Sequence, residues 1–173
     1  MLKKTITLWL LPLIVSAQAT IPDTLKVPEG NQRVIALHAK GDQIYQCAEQ
    51  QGEFIWQLQK PNALLFDSSG QLVGSHTEGT AWKYKDGSHI KGEILEKANV
   101  SPDASVEWLL VQTSETQGNG LLANTRFIQR INTRGGLPPS VPCDNTRLGE
   151  EKAVIYAADY VFYGDKLSDS KQK

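Results

Sequence analysis

Residues 81–94 read AWKYKDGSHIKGEI, and two short runs of strand-forming residues flank a turn in this stretch. The runs are residues 81–84 and 89–94, and residues 85–88 separate them. Asp86-Gly87 between two such runs is the strongest short-range signal of a β-hairpin, because a type I′ turn requires positive φ at both central residues. The stretch therefore predicts two antiparallel strands joined by a tight turn.

The same alternation of short strands and turns continues on both sides of this hairpin. Turn residues stand at positions 40–42 and 67–70, and no helix longer than about two turns is indicated. Further candidate strands are residues 33–39, 43–47, 54–59, 63–66, 71–75, 107–113, 126–132 and 153–163. About ten short strands predict an all-β protein of one domain, an antiparallel β-sandwich or barrel.

Residues 1–19 have the order of a secretory signal peptide. Lys3 and Lys4 precede an uncharged apolar run, residues 5–15, and Ala17 and Ala19 stand where a signal peptidase requires small residues. The run is too short to span a bilayer, which needs roughly 20 residues. We therefore expect an exported protein, periplasmic or secreted, with residues 20–163 as its domain and residues 164–173 as a flexible tail.

The charge balance argues against nucleic acid as a partner. The 173 residues include 18 Lys+Arg and 19 Asp+Glu, for a net charge of −1. Without the signal peptide, which contains Lys3 and Lys4 and no acidic residue, the net charge becomes −3. A nucleic-acid-binding surface is typically basic. We expect no nucleic-acid partner, no membrane span and a monomer.

Cys47 and Cys143 are the two cysteines of the chain. In an oxidising compartment a single pair usually forms one disulfide bond, and this is the prediction. A zinc site is one alternative, but the chain has no C-x-x-C motif and no neighbouring histidine cluster. A cysteine nucleophile is the other alternative.

Residues 74–82, GSHTEGTAW, contain the most suggestive combination of side chains. His76 and Glu78 can face the same side of an extended segment, which would allow an acid–base pair, and Trp82 could offer a flat surface to a ligand. Arg130, on the candidate strand 126–132, could bind a carboxylate or phosphate. In the alternative interpretation, residues 74–82 form a tight loop with Trp82 in the core, and Arg130 lies on a solvated face or pairs with a carboxylate of the next strand.

Motifs of catalysis and metal binding are missing from the sequence. There is no G-x-S-x-G, S-x-x-K, H-E-x-x-H or G-x-G-x-x-G motif, and His38, His76 and His89 are not spaced as metal ligands. We therefore predict no metal, no cofactor and no assigned catalytic residue.

A set of short stretches, in a fixed order from residue 25 to residue 163, is similar to one protein family. The stretches are VPEGN (27–31), AKG (39–41), QIYQC (43–47), ALLFD (63–67), GSH (74–76), DGS (86–88), WLL (108–110), IQRINT (128–133) and ADYVFY (158–163). With them the chain resembles family number 3455 of the domains of unknown function, which occurs in exported proteins of bacteria and in fungi. The resemblance implies an exported, mainly β domain without an established activity, and it supplies no catalytic residues.

Three functions are consistent with these observations. The leading hypothesis is a non-catalytic exported β domain that binds a small molecule, a glycan or a partner protein. The second is a periplasmic hydrolase or lyase that uses His76 and Glu78, with Arg130 orienting an anionic substrate. The third is a structural envelope or stress-related protein that needs no pocket. The positions of these three side chains relative to any cavity distinguish the hypotheses.

Overall fold

The chain forms one antiparallel β-sheet that closes on itself. The computed structural model describes residues 20–166. It contains a short 3-10 helix, Asp23–Leu25, and the strands β1 (Asn31–Gln50), β2 (Glu53–Phe66), β3 (Leu72–Glu78), β4 (Ala81–Tyr84), β5 (His89–Ala98), β6 (Trp108–Gln117), β7 (Thr125–Gly135) and β8 (Glu151–Asp165). Each strand pairs with the next along the chain, and β8 pairs with β1 to close a barrel. The predicted all-β single domain is confirmed, in its barrel form.

The strands are fewer and longer than the sequence indicated, with eight in place of about ten. The predicted turn at residues 40–42 is wrong, because Gly41 lies inside β1 and pairs with Ala63 of β2 and Tyr156 of β8. A side chain at Gly41 would collide with the backbone of Asn62 and Ala63. Glycine is therefore used here for close approach of two strands, a use that the sequence does not distinguish from a turn.

The hairpin at residues 81–94 is confirmed, but its predicted turn type is wrong. Gly87 has a φ of 88°, whereas Asp86 is not among the residues with positive φ. The Asp86 carboxylate instead accepts hydrogen bonds from the backbone N–H and the hydroxyl of Ser88. Positive φ at two consecutive residues occurs between β1 and β2, at Gln51 (53°) and Gly52 (85°), as a type I′ turn requires.

One end of the barrel interior is filled by apolar side chains and closed by a loop. The loop between β6 and β7 inserts Leu122, which is fully buried. Its backbone is held by the β4–β5 turn, since Leu121 N donates to Asp86 Oδ2 (2.6 Å) and Leu122 N donates to Ser88 Oγ (3.2 Å). Buried residues that pack together in the interior include Leu37, Leu65, Val73, Ile90, Ile128 and Phe162.

A second apolar cluster lies on the outside of the barrel. Leu25, from the 3-10 helix, packs against Trp108 and Leu110 of β6. Gln129 of β7 is buried there, and its Nε2 donates to the carbonyl oxygen of Leu25 (2.6 Å) while its Oε1 accepts from Tyr163 Oη (2.7 Å). The residues before β1 therefore cover this face of the sheet.

Cys47 and Cys143 form a disulfide bond, as predicted, with their Cα atoms 5.4 Å apart. The bond joins β1 to the long loop between β7 and β8, residues 136–150.

The described residues include only part of the two ends of the chain. The expected signal peptide, residues 1–19, lies outside the described residues, and so do residues 167–173 of the expected tail. Gly164 and Asp165, where that tail was expected to begin, belong to β8. Within residues 20–166, no helix is long and apolar enough to cross a membrane.

Candidate functional site

A cavity of about 570 Å³ occupies the end of the barrel opposite Leu122, where β1, β3, β5 and β7 end. All eight strands contribute residues to its lining. Three of the four side chains predicted as a site line it, namely His76, Trp82 and Arg130. The structure thus brings Arg130 of β7 into the same cavity as His76 and Trp82, from which it is distant in the sequence.

Three aromatic rings form the floor of the cavity, and we call His76, Trp82 and Tyr160 the aromatic floor. The rings of His76 and Trp82 stack with centroids 4.8 Å apart and an interplanar angle of 5°. The Tyr160 ring meets both of them edge-on, at 5.1 Å from His76 and 5.4 Å from Trp82. Each ring therefore supports the orientation of the other two, which makes the floor a preformed surface.

His76 is neutral in the folded protein at physiological pH. Burial, which disfavours the charged imidazolium, lowers the pKa of His76 to about 4, and the positive charge of Arg130 acts in the same direction. A hydrogen bond of 2.7 Å joins Nδ1 to the carbonyl oxygen of Ala81. Because a carbonyl oxygen only accepts, Nδ1 carries the hydrogen, and Nε2 is left as an acceptor.

The depressed pKa of His76 predicts an acid-sensitive fold. As the pH falls below 6.5 the unfolded chain takes up this proton before the folded protein does, so stability is lost between about pH 6.5 and pH 4. We expect His76 alone to lower the free energy of unfolding by about 2 kcal/mol between pH 7 and pH 5.

Urea unfolding of the wild type and of His76→Phe at both pH values measures this contribution as the difference between their pH dependences. An equal pH dependence in the wild type and in His76→Phe would contradict the expected role of His76.

Arg130 contributes a cationic group to the cavity lining, beside Tyr160 of the aromatic floor. It lies on β7, where its Cα is paired with those of Leu109 and Tyr160. The side chain is partly buried, and its Nε donates to the backbone carbonyl oxygen of Glu107 (3.0 Å). None of the ion pairs found within residues 20–166 includes Arg130.

Glu78 is not part of the cavity lining. It ends β3 as an exposed residue, and the β3–β4 pairing is irregular between Ser75 and Glu78. The simple alternation that would place Glu78 on the same face as His76 does not survive this irregularity. The structure therefore does not bring the predicted His76–Glu78 pair together in the cavity.

Gln43 and Tyr45 of β1 are among the lining residues that the sequence does not single out. Gln43 is buried, and its Oε1 has no hydrogen-bond partner in the described protein. Tyr45 Oη donates to the carbonyl oxygen of Gly136 (2.6 Å). Both positions belong to the part of β1 that follows Gly41, so recognising them requires knowing that β1 continues through that glycine.

Tyr160 is another lining residue that the sequence does not single out. Its hydroxyl lies 2.8 Å from that of Tyr156, and both side chains point into the barrel together with Ala158 and Phe162. The alternation in residues 156–162 was a usable signal for an inward face. It did not show that this face meets a cavity.

The 136–150 loop forms part of the cavity wall through Leu137. The loop is attached to β1 by the Cys47–Cys143 disulfide and by the Tyr45–Gly136 hydrogen bond. It is attached to β2 by Trp56, whose Nε1 donates to the carbonyl oxygen of Val141 (2.7 Å). These contacts hold this side of the cavity in place.

Comparison with known proteins identifies a family. A family model described as protein of unknown function, DUF3455, matches residues 28–164, which is most of the chain. The chain belongs to this family, as its resemblance indicated. No curated protein and no solved structure matches it.

Proposed function

We propose that this member of the DUF3455 family is an exported, non-catalytic protein that binds a small, mostly apolar molecule in the cavity of its barrel. The observation that carries the proposal is the cavity of about 570 Å³ above a preformed aromatic floor. Eight-stranded barrels are wide enough either to be filled by side chains or to hold one small ligand, and this barrel is filled at one end only.

The size and lining of the cavity support a ligand of the size of a metabolite. Small-molecule sites are typically concave, about 300–1,000 Å³, and lined by apolar and aromatic groups with a few polar ones. Here Leu58, Leu109 and Val111 supply apolar wall next to the aromatic floor.

The geometry favours binding over the hydrolase or lyase alternative. That alternative requires Glu78 beside His76, and Glu78 lies outside the cavity lining. The carboxylate that does reach the lining, Glu107, is paired with Lys97, with Oε2 3.6 Å from Nζ. A general base works best with a pKa near the working pH, whereas His76 has a pKa of about 4.

Export is supported by the signal-like order of residues 1–19 and by the Cys47–Cys143 disulfide. Disulfide bonds persist in oxidising compartments such as the periplasm or the outside of the cell. A disulfide-bonded β fold is compatible with that location.

Blocking the mouth of the cavity tests the proposal. Ile94 and Leu95 are neighbours on β5, both about equally exposed at 41% and 45%, but Ile94 lines the cavity and Leu95 does not. We expect Ile94→Trp to weaken binding of the neutral fluorescent probe N-phenyl-1-naphthylamine about tenfold or more, because an indole would occupy the space of the probe. Leu95→Trp adds the same group to the same strand and should leave the affinity unchanged.

Fluorescence titration of the two variants and the wild type measures the affinities. If the wild type does not bind the probe, or if both tryptophan variants bind it as the wild type does, the cavity is not the binding site.

A further inference from the structure

The cavity lining contains more basic than acidic residues. Lys60, Lys97 and Arg130 are its basic residues, and Glu107 is its acidic one. Lys97 and Glu107 pair with each other, and their side chains are 55% and 42% exposed, which places this pair at the rim. The lining therefore has a net positive charge, and Arg130 is the basic residue beside the aromatic floor, because its Cα pairs with that of Tyr160.

Arg130 is held in position without being neutralised. Its Nε hydrogen bond goes to a backbone carbonyl, and no carboxylate within residues 20–166 forms an ion pair with it. A guanidinium has five N–H donors in a planar arrangement that matches the two oxygens of a carboxylate. A cation that is partly desolvated and lacks a counter-charge is costly unless it serves a charged partner.

We propose that the ligand is an organic anion, with an aromatic or similarly flat apolar body on the aromatic floor and a carboxylate-like group bound by Arg130. This inference rests on the proposed function and specifies the chemical class of the ligand. The Cα pairing of Arg130 with Tyr160 places the cation beside one edge of the floor. One molecule could therefore contact the floor with its flat body and Arg130 with its carboxylate.

The neutral polar groups around Arg130 are compatible with an anion. His76 and Tyr160 face it from β3 and β8, and Tyr45 faces the cavity from β1. Burial raises the pKa of Tyr160 and of Tyr45, so both hydroxyls keep their protons at neutral pH and carry no negative charge that would repel the ligand. His76 adds no positive charge, because its pKa is about 4. Lys60 is exposed and Lys97 is paired with Glu107, so Arg130 is the partly buried cation that we expect to determine the sign of the ligand.

Competition between two molecules of the same shape tests the inference. In this test, 2-naphthoate or 2-naphthalenemethanol is added to the wild type in the presence of N-phenyl-1-naphthylamine; the two competitors differ in the charge of one substituent. Apolar partitioning alone favours the alcohol, because the carboxylate is better hydrated. We expect 2-naphthoate to compete at a roughly tenfold lower concentration, since charge-assisted bidentate hydrogen bonds are strong.

Variants of β7 assign the preference to Arg130. Arg130→Met should abolish or reverse it while the neutral probe still binds, and Arg130→Lys should keep part of it. The matched control is Arg134→Met, which removes the same charge from an exposed position on the same strand that does not line the cavity, and it should behave as the wild type.

The outcomes separate this inference from the proposed function. If the probe binds but the alcohol competes as well as the naphthoate in the wild type, the inference of an anionic ligand is wrong, and the proposal that the cavity binds a small molecule is kept. If the preference for naphthoate persists in Arg130→Met, the assignment to Arg130 is wrong. If the probe does not bind the wild type, the proposed function itself fails. The wild-type comparison decides the class of ligand even where circular dichroism shows that Arg130→Met does not fold.

Discussion

Replacing Cys47 and Cys143 together with alanine is expected to lower the free energy of unfolding by about 4 kcal/mol. The disulfide joins residues 96 positions apart, and a cross-link that closes a long loop removes much of the freedom of the unfolded chain. Cys47 is also buried in β1, with 1% of its surface exposed, so its replacement leaves a small packing defect. Urea unfolding monitored by circular dichroism measures the change.

Reduction provides the control for this prediction. A reductant should destabilise the wild type by a similar amount and leave the double alanine variant unaffected. Thiol labelling of the denatured, unreduced wild type should find no reactive cysteine. Two labelled thiols, or a double variant as stable as the wild type, would contradict a stabilising bond between these residues.

The disulfide also has an expected effect on the cavity. It attaches the 136–150 loop, which contributes Leu137 to the wall, and the same loop is attached by Tyr45 and Trp56. We expect the double alanine variant to bind the naphthylamine probe less tightly, because part of the wall is then less firmly held.

Trp82→Ala is expected to lower the free energy of unfolding by about 4 kcal/mol and to abolish binding of the probe. Trp82 is 1% exposed. Its ring packs against the rings of His76, Tyr160 and Phe162, with ring centroids 4.8, 5.4 and 6.2 Å away. Its removal leaves a large cavity and takes away the ring on which the aromatic floor is built. Chemical unfolding and probe titration measure the two effects.

Trp82→Phe is the matched control, because it keeps an aromatic ring at the same position. It should lose clearly less stability than the alanine variant and keep measurable affinity for the probe. A stability loss below about 1 kcal/mol for Trp82→Ala would show that Trp82 contributes little to the core, in contrast with its burial.

Local signals in the sequence identified several elements correctly. The Asp86-Gly87 turn predicted the β4–β5 hairpin, and β4 has the predicted bounds, Ala81–Tyr84. The cysteine pair predicted the disulfide, because a chain with two cysteines, no C-x-x-C motif and no histidine cluster has few other uses for them. These signals depend on neighbouring residues or on composition, and tertiary context did not overturn them.

Other predictions failed because one residue type serves two structural purposes. Gly41 was interpreted as a turn and is a point of close contact between β1 and its two neighbours. Asp86 was expected to have positive φ, but its carboxylate makes local hydrogen bonds instead. For Gly41 the deciding contact comes from three-dimensional packing, and for Asp86 it is a local side-chain hydrogen bond; the residue type alone reports neither.

By itself the sequence determined the class of the protein: an all-β domain with one disulfide bond and candidate residues at His76, Glu78, Trp82 and Arg130. The tertiary structure alone decided which candidates meet. Alternation in a strand shows which side chains share a face, but not which face lies inside or which distant strands pair. Closure of β8 on β1 formed the barrel interior, and the Arg130–Tyr160 pairing placed a cation beside the aromatic floor. The irregular pairing of β3 left Glu78 outside the cavity lining.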